Sequence, residues 1–196
     1  SIHDSDTILQ MKEKPATLAV IGAGVIGSEY ASIFACLGIK VTLVDQRPTL
    51  MSWMDAEIAQ ALQAHFEANP NLELCLGVQK TEVGEVSQLG KLLGRSIGNA
   101  MGNTRAKLTL DGHPREFDAV LCCLGRSGNT EALNLQAIGL APNERGLLKV
   151  NEKYQTAVPH IYAVGDVIGS PGLASASAEQ GRLAASHAFG VTAGKF

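Results

Sequence analysis

The sequence predicts an α/β chain with a parallel sheet at its centre. Three observations predict it. Short apolar runs alternate with segments of helical spacing between residues 17 and 76, a glycine-rich turn joins the first run to the first helical segment, and the later pattern changes to short extended pieces with a hairpin signal.

The elements follow in order. After a polar lead ending at Lys14-Pro15, Thr17 to Ile21 is an apolar run that stops at glycine, as a buried parallel strand does. Across residues 25 to 37, Ile26, Tyr30, Ile33, Phe34 and Leu37 recur at helical spacing, and Gly38 is the stop. Lys40 to Val44 is the next strand. A second helix is expected from Asp55 to Ala68, with Ile58, Leu62 and Phe66 on one face and Asp55 near its positive end, until Asn69-Pro70-Asn71 breaks it. Leu72 to Leu76 is the third strand.

Arg105 to Leu110 then alternates, with Ala106, Leu108 and Leu110 on one face, and Asp111-Gly112 signals a tight hairpin. Asp118 to Leu124 is an apolar run that returns to the parallel sheet. Cys122 and Cys123 are neighbours on it and point to opposite faces, as two core residues rather than a vicinal disulfide. Before these, Gly90, Gly94, Gly98 and Gly102 recur every fourth residue. Lys91 and Arg95 argue against a membrane glycine face, and in a soluble helix the glycines would cost about 4 kcal/mol relative to alanine. A mobile hairpin extension is the expectation for residues 87 to 104, and an exposed apolar face for a last helix at about 173 to 189.

Composition narrows the function classes. With 196 residues, 45% of them hydrophobic, the chain can fill one large domain or one domain and part of a second, which excludes disorder. The 21 glycines keep no Gly-X-Y period, and a net charge of -3 provides no basic footprint for nucleic acid. The longest apolar runs fall short of the ~18 residues of a membrane span. Neither nucleic acid nor membrane is an expected partner. Cys36, Cys75, Cys122 and Cys123 match neither a zinc spacing nor Cys-x-x-Cys, so no metal is expected and reduced thiols fit a cytoplasmic location. None of the five histidines stands in a triad or ligand spacing, and Gly125-Arg126-Ser127-Gly128 is not a hydrolase elbow. The start at Ser1 and a charged fraction of 18% read as a piece of a longer polypeptide.

Gly22-Ala23-Gly24-Val25-Ile26-Gly27 follows a strand and opens a helix, and Asp45 ends the next strand 18 residues beyond Gly27, close to the ~20 expected of a dinucleotide fingerprint. Gly22 permits the tight turn, Gly24 admits a pyrophosphate, Gly27 allows close helix–strand packing, and the helix N-terminus offers free N–H groups. Asp45 can accept both hydroxyls of an adenosine ribose, favouring NAD. Arg47 can pair with a 2′-phosphate, so NADP stays open. Glu29, two residues past the last glycine, is equally well explained as a solvated first-turn acid. A stand-alone NAD-binding module without catalysis is one reading of these residues.

The second half carries a resemblance. Gly125-Arg126-Ser127-Gly128-Asn129-Thr130, Leu135 to Leu140, Val150 to Thr156 and Pro159-His160-Ile161-Tyr162-Ala163-Val164-Gly165-Asp166 resemble the two-dinucleotide flavoprotein reductases, the pyridine nucleotide-disulfide oxidoreductase family. Their wording is nearest the soluble pyridine nucleotide transhydrogenases, with dihydrolipoamide dehydrogenases next as the alternative. The resemblance implies an α/β fold. A Rossmann-like NAD(P)-binding domain at 15–128 has a parallel sheet, helices on both faces and a small antiparallel β-meander. A leading segment occupies 1–14, and 129–196 forms the second, C-terminal segment of an FAD-binding domain.

It also implies an enzyme that moves hydride between NADH or NADPH and NAD+ or NADP+ through FAD, as a homodimer when full length. The remaining FAD-domain and dimerisation segments would belong to the same polypeptide. FAD is expected to be absent from these 196 residues alone, which are expected to be inactive. By match, Gly22 to Glu29 cradle the nucleotide, with Glu29 near nicotinamide in a catalytic positioning role; Asp45 meets the ribose and Gly125 lies beside the nucleotide. Asp166 resembles the carboxylate that bonds the ribityl chain, and Gly172, Leu173, Ala174 and Ser175 resemble the helix start facing the flavin pyrimidine edge. Transhydrogenases carry a neutral residue where this chain has Asp45, whereas Arg47 matches their pattern.

Overall fold

The computed structural model describes residues 1–85 and 105–191. They form two compact units, Ser1–Gly125 and Arg126–Phe196. The expected hairpin extension at 87 to 104 lies outside the described residues.

The first unit contains strands β1 (Ile2–His3), β2 (Thr17–Ile21), β3 (Lys40–Asp45), β4 (Leu72–Leu76), β5 (Thr81–Glu85), β6 (Ala106–Leu110), β7 (His113–Phe117) and β8 (Ala119–Cys122). Five of them form one sheet in the order β1-β8-β2-β3-β4, with every pair parallel. β5, β6 and β7 form the antiparallel meander. Read from β4, the parallel order is that of a dinucleotide-binding half-fold carried to its fifth strand.

The two helices described in this unit, α1 (Val25–Cys36) and α2 (Ala56–Glu67), share one face of the sheet. Ala31, Ala35, Leu62 and Phe66 pack there against Leu18, Val20, Val41, Leu43 and Leu121. On the other face, Ala19, Ile21, Val44 and Val120 meet Ala106, Leu108, Leu110 and Phe117 of the meander. The α/β class, the parallel sheet with helices and the antiparallel meander are as expected, and among the described residues α1 and α2 lie on the same face. The cause is connection handedness. β2 to β3 and β3 to β4 step the same way across the sheet, so right-handed crossovers put both helices on one side, and the return to β8 steps back and crosses the other. Alternate residues of β2 thus enter different cores, which is why its run is continuously apolar.

Helix contacts differ in detail from the apolar spacing. The buried face of α1 is Gly27, Ser28, Ala31 and Ala35; Tyr30 and Phe34 are half-buried beside it, while Ile33 and Leu37 face solvent. Small residues let the helix backbone approach the sheet, so they and not the large ones mark the contact line. On α2, Phe66 and Ala59 are buried and Ile58 is exposed. Asp55 caps that helix by accepting the Glu57 N–H at 3.0 Å. Asp111 and Gly112 take φ of +47° and +85°, the left-handed pair of a tight hairpin. Cys122 and Cys123 do enter opposite cores.

The polar lead has more structure than its sequence announces. Ile2 and His3 pair with Val120 and Leu121 as the sheet's edge, Ile8 is 2% exposed, and the Tyr30 hydroxyl donates to the Ser5 carbonyl at 3.0 Å. Asp118, just before β8, ties the start of β2: its carboxylate accepts Ala16 N–H, Thr17 N–H and the Thr17 hydroxyl at 3.0, 2.9 and 3.0 Å. Asp118→Ala is therefore expected to lower unfolding stability by about 2 kcal/mol, read as a lower urea midpoint with an unchanged slope.

The second unit has little regular structure besides α3 (Ala174–Ala188) and 3₁₀ turns at Glu131–Leu133, Leu135–Ile138 and Gly165–Ile168. Leu135, Leu140, Leu148 and Ala163 form its core. The last helix appears where expected, but its body is mostly Ala and Ser. The large exposed apolar groups, Leu173, Phe189 and Val191, sit at its two ends rather than along a face.

Candidate functional site

The glycine turn stands at the carboxyl end of β2, where the chain leaves toward β3 on one side while β8 lies on the other. Such a switch point opens a crevice in a parallel sheet. Gly22 has a φ of +100°, its N–H donates to the Val44 carbonyl at 2.8 Å, and a Cβ there would lie 2.5 Å from the Cys123 carbonyl oxygen. At Gly27 a Cβ would lie 1.8 Å from the Gly22 carbonyl oxygen. These two glycines close the turn onto the sheet. At Gly24, by contrast, a Cβ would meet nothing within 4 Å. Space stands open beside its backbone, and α1 begins there without a side-chain cap, so the first N–H groups at Val25, Ile26 and Gly27 face that space unclaimed by a capping side chain.

Asp45 and Arg47, predicted as rival nucleotide contacts, are brought together. The Asp45 carboxylate is 8% exposed. Its Oδ1 accepts Arg47 N–H and Nε–H at 2.8 and 2.9 Å, and its Oδ2 accepts Arg47 Nη2–H and Ala23 N–H at 2.7 and 2.6 Å. Burial pushes this carboxyl up, but the bonds from the Arg47 side chain, then from the Arg47 and Ala23 amides, and the Arg47 charge outweigh it and bring it to about 2. Asp45 thus binds the glycine turn through Ala23 as well as the end of β3. The guanidinium lies 5.0 Å from the ring centroid of Trp53, a residue the sequence reading passed over.

Glu29 is exposed on α1 and lines a shallow recess of about 380 Å³ with Ser28, Ser32, Ile33, Met51, Leu62 and Phe66. Ser28 was also missed. It is 2% exposed, and its Oγ is the one buried side-chain polar atom without a hydrogen-bond partner among the described residues. Gly125 ends the first unit exposed, with a φ of +112°. The thiols are free; burial pushes Cys123 up to about 11 and raises Cys122 as well, which holds both protonated at neutral pH.

In the second unit, Asp166 is exposed on the turn Gly165–Ile168. Gln180 of α3, 8% exposed, accepts the Gly165 N–H at 2.7 Å and so fastens that turn to the helix. Gly172 and Leu173 lead into α3, which starts at Ala174 and Ser175 with no side-chain cap. No sequence signal singled out Gln180, because a glutamine in an Ala/Ser-rich helix reads as surface.

Comparison with known proteins shows what the chain resembles. The family model described as pyridine nucleotide-disulphide oxidoreductase matches residues 1–181. The chain is 49% identical over 183 residues to a soluble pyridine nucleotide transhydrogenase of Chromohalobacter salexigens, which covers 93% of this chain and 36% of that protein. It is 44% identical over 194 residues to one of Aliivibrio fischeri, covering 99% of this chain and 37% of that protein. The chain thus spans little more than a third of the length of these curated relatives. Among solved structures, LpdA of Mycobacterium tuberculosis superposes with a TM-score of 0.80 at 27% identity, covering 99% of this chain and 39% of that one. The HOCl-induced flavoprotein disulfide reductase RclA of Escherichia coli gives a TM-score of 0.78 at 27% identity, covering 96% and 40%.

Proposed function

The chain belongs to the pyridine nucleotide-disulphide oxidoreductase family, and from that premise we propose that it is the nucleotide-handling part of a soluble transhydrogenase. Residues 15–128 bind NAD(H) or NADP(H), and 129–196 complete an FAD-binding domain. The observation that carries this reading is the glycine turn. Two of its glycines are closed against backbone while Gly24 borders open space at an uncapped helix start, a cradle shaped for a phosphate group.

On this reading Gly22 to Gly27 hold the pyrophosphate, Glu29 orients the nicotinamide end, Asp45 and Arg47 meet the adenosine ribose, and Gly125 lies beside the nucleotide. Asp166 and the first turn of α3, from Gly172 through Leu173, Ala174 and Ser175, hold FAD. The donor set fits: an exposed carboxylate suits a polyhydroxyl chain, and an uncapped helix N-terminus suits a ring edge that becomes anionic. When bound, flavin supplies the two-electron store for hydride exchange between nicotinamide nucleotides. The residues of this chain hold and orient each nucleotide at its own site, and no side chain is required to donate a proton. The full-length protein works as a cytoplasmic homodimer.

A disulfide reductase reading has less support. The relatives at 44–49% identity are soluble pyridine nucleotide transhydrogenases, whereas the LpdA and RclA structures match at 27% identity, and the redox cysteine pair of a dihydrolipoamide dehydrogenase-type enzyme would lie outside these 196 residues. Calorimetric titration of the 196-residue chain with NAD+ and NADP+ tests the proposal. One-to-one uptake of at least one is expected, and no heat with either would overturn it.

A further inference from the structure

The contacts of Asp45 run against its role as a ready acceptor of ribose hydroxyls. A carboxylate offers about four lone-pair positions, and here four N–H groups use them: the Ala23 amide, the Arg47 amide, Arg47 Nε and Arg47 Nη2. Three of the four come from Arg47. The backbone of Arg47 is itself pinned, because its carbonyl accepts the Gly77 N–H at 3.0 Å while the neighbouring Asp45 carbonyl accepts the Val78 N–H at 3.1 Å. Only the side chain is free to move. It is 37% exposed, and its Nη1 group has no bond partner among the described residues.

Trp53 is a second contact of the guanidinium, its ring centroid 5.0 Å from the Arg47 Cζ. The turn that carries it is anchored by Leu50, 0% exposed, and by Met51, 8% exposed, while Trp53 itself stays 57% exposed. The cation therefore contacts both a buried carboxylate and a ring carried on an anchored turn.

We propose that the Arg47 side chain is a selectivity gate over Asp45, with Trp53 as its rest, so that the adenosine subsite reads a 2′-phosphate before it reads a free ribose. With the gate shut, as seen here, a 2′-phosphate meets the outward Nη1 group, and Asp45 is already neutralised by its partner. For an unphosphorylated ribose to reach Asp45, Arg47 must first swing away from both the carboxylate and the ring. NAD affinity is reduced by the fraction of time the gate stands open, whereas NADP affinity is not. The inference rests on the nucleotide-binding reading above. It reverses the preference for NAD that Asp45 implies by its residue type.

The test is calorimetry of wild type and Arg47→Met with NAD+ and NADP+ at one ionic strength, with circular dichroism to confirm folding. Methionine keeps an apolar stem over Trp53 and removes every guanidinium donor. Arg47→Met is expected to bind NAD+ about three- to tenfold more tightly, because opening no longer has to occur, and to bind NADP+ at least about tenfold less tightly. Unchanged or weaker NAD+ binding in the variant, with nucleotide bound by wild type, would overturn the gate and leave the nucleotide site standing. Binding of neither nucleotide by wild type would overturn both. Should Arg47→Met not fold, Arg47→Lys keeps the charge and loses the fork; it is expected to gain NAD+ affinity and retain NADP+, and no gain in NAD+ would overturn the gate. Trp53 is the chain's only tryptophan, so its emission is a second reading. Saturating NAD+ is expected to change it more than saturating NADP+, and the reverse order would count against the proposal.

Discussion

Gly27→Ala is expected to cost about 3 kcal/mol or more of folding stability, while Gly24→Ala, three residues away in the same motif, is expected to cost less than about 1 kcal/mol. At Gly27 a methyl group would lie 1.8 Å from the Gly22 carbonyl oxygen and 3.3 Å from the Cys123 Cβ, so α1 has to retreat from the sheet. At Gly24 the methyl meets no protein atom within 4 Å, and a φ of -77° with ψ of -173° is open to alanine. The same methyl would project into the proposed pyrophosphate space. Gly24→Ala should therefore keep its urea midpoint near wild type while nucleotide affinity falls about tenfold or more. Urea unfolding followed by circular dichroism, beside calorimetry, separates the two. A Gly24→Ala variant that binds as wild type does would show that the cradle is not the phosphate site.

Asp45→Ala is the second large effect, about 2–3 kcal/mol of destabilisation at pH 7. The substitution strands the Ala23 N–H, in a residue 0% exposed, and releases Arg47. It also has a pH signature. The folded-state carboxyl, at about 2, lies below its ordinary value of 3.8. Its stabilisation is thus fully present above about pH 4 and is lost as the pH falls toward 2. Because Arg47 is more than a third exposed, solvent screening holds this pH-dependent part to about 1–2 kcal/mol. Wild type should lose that much more stability than Asp45→Ala between pH 5 and 2, and parallel curves would show that the pair contributes little.

The strands and the turn were legible because their signals are local. β2 reads as a continuous apolar run since both of its faces are buried, and Asp111-Gly112 reads as a hairpin since those residue types tolerate positive φ. The helix faces were less legible. Large residues at helical spacing marked Ile33, Leu37 and Ile58, but contact follows the closest backbone approach, which Gly27, Ser28, Ala31 and Ala35 allow. The edge strand at Ile2 and His3 carried no pattern at all, because two residues cannot show a period and their order comes from β8.

By itself, the sequence determined the α/β class, the glycine turn between a strand and a helix, and the candidate groups Gly22 to Gly27, Asp45 and Arg47, since each depends on residue type and short-range spacing, whereas Asp166 was reached through the family resemblance alone. Only the tertiary structure decided that α1 and α2 share a face, that Gln180 fastens the turn bearing Asp166, and that Arg47 closes on Asp45 beside Trp53. The physical reason is the same in each case. Connection handedness, a bond across fifteen residues of chain, and a carboxylate whose lone pairs are taken by its neighbours are properties of placement in space, and residue types alone do not carry them.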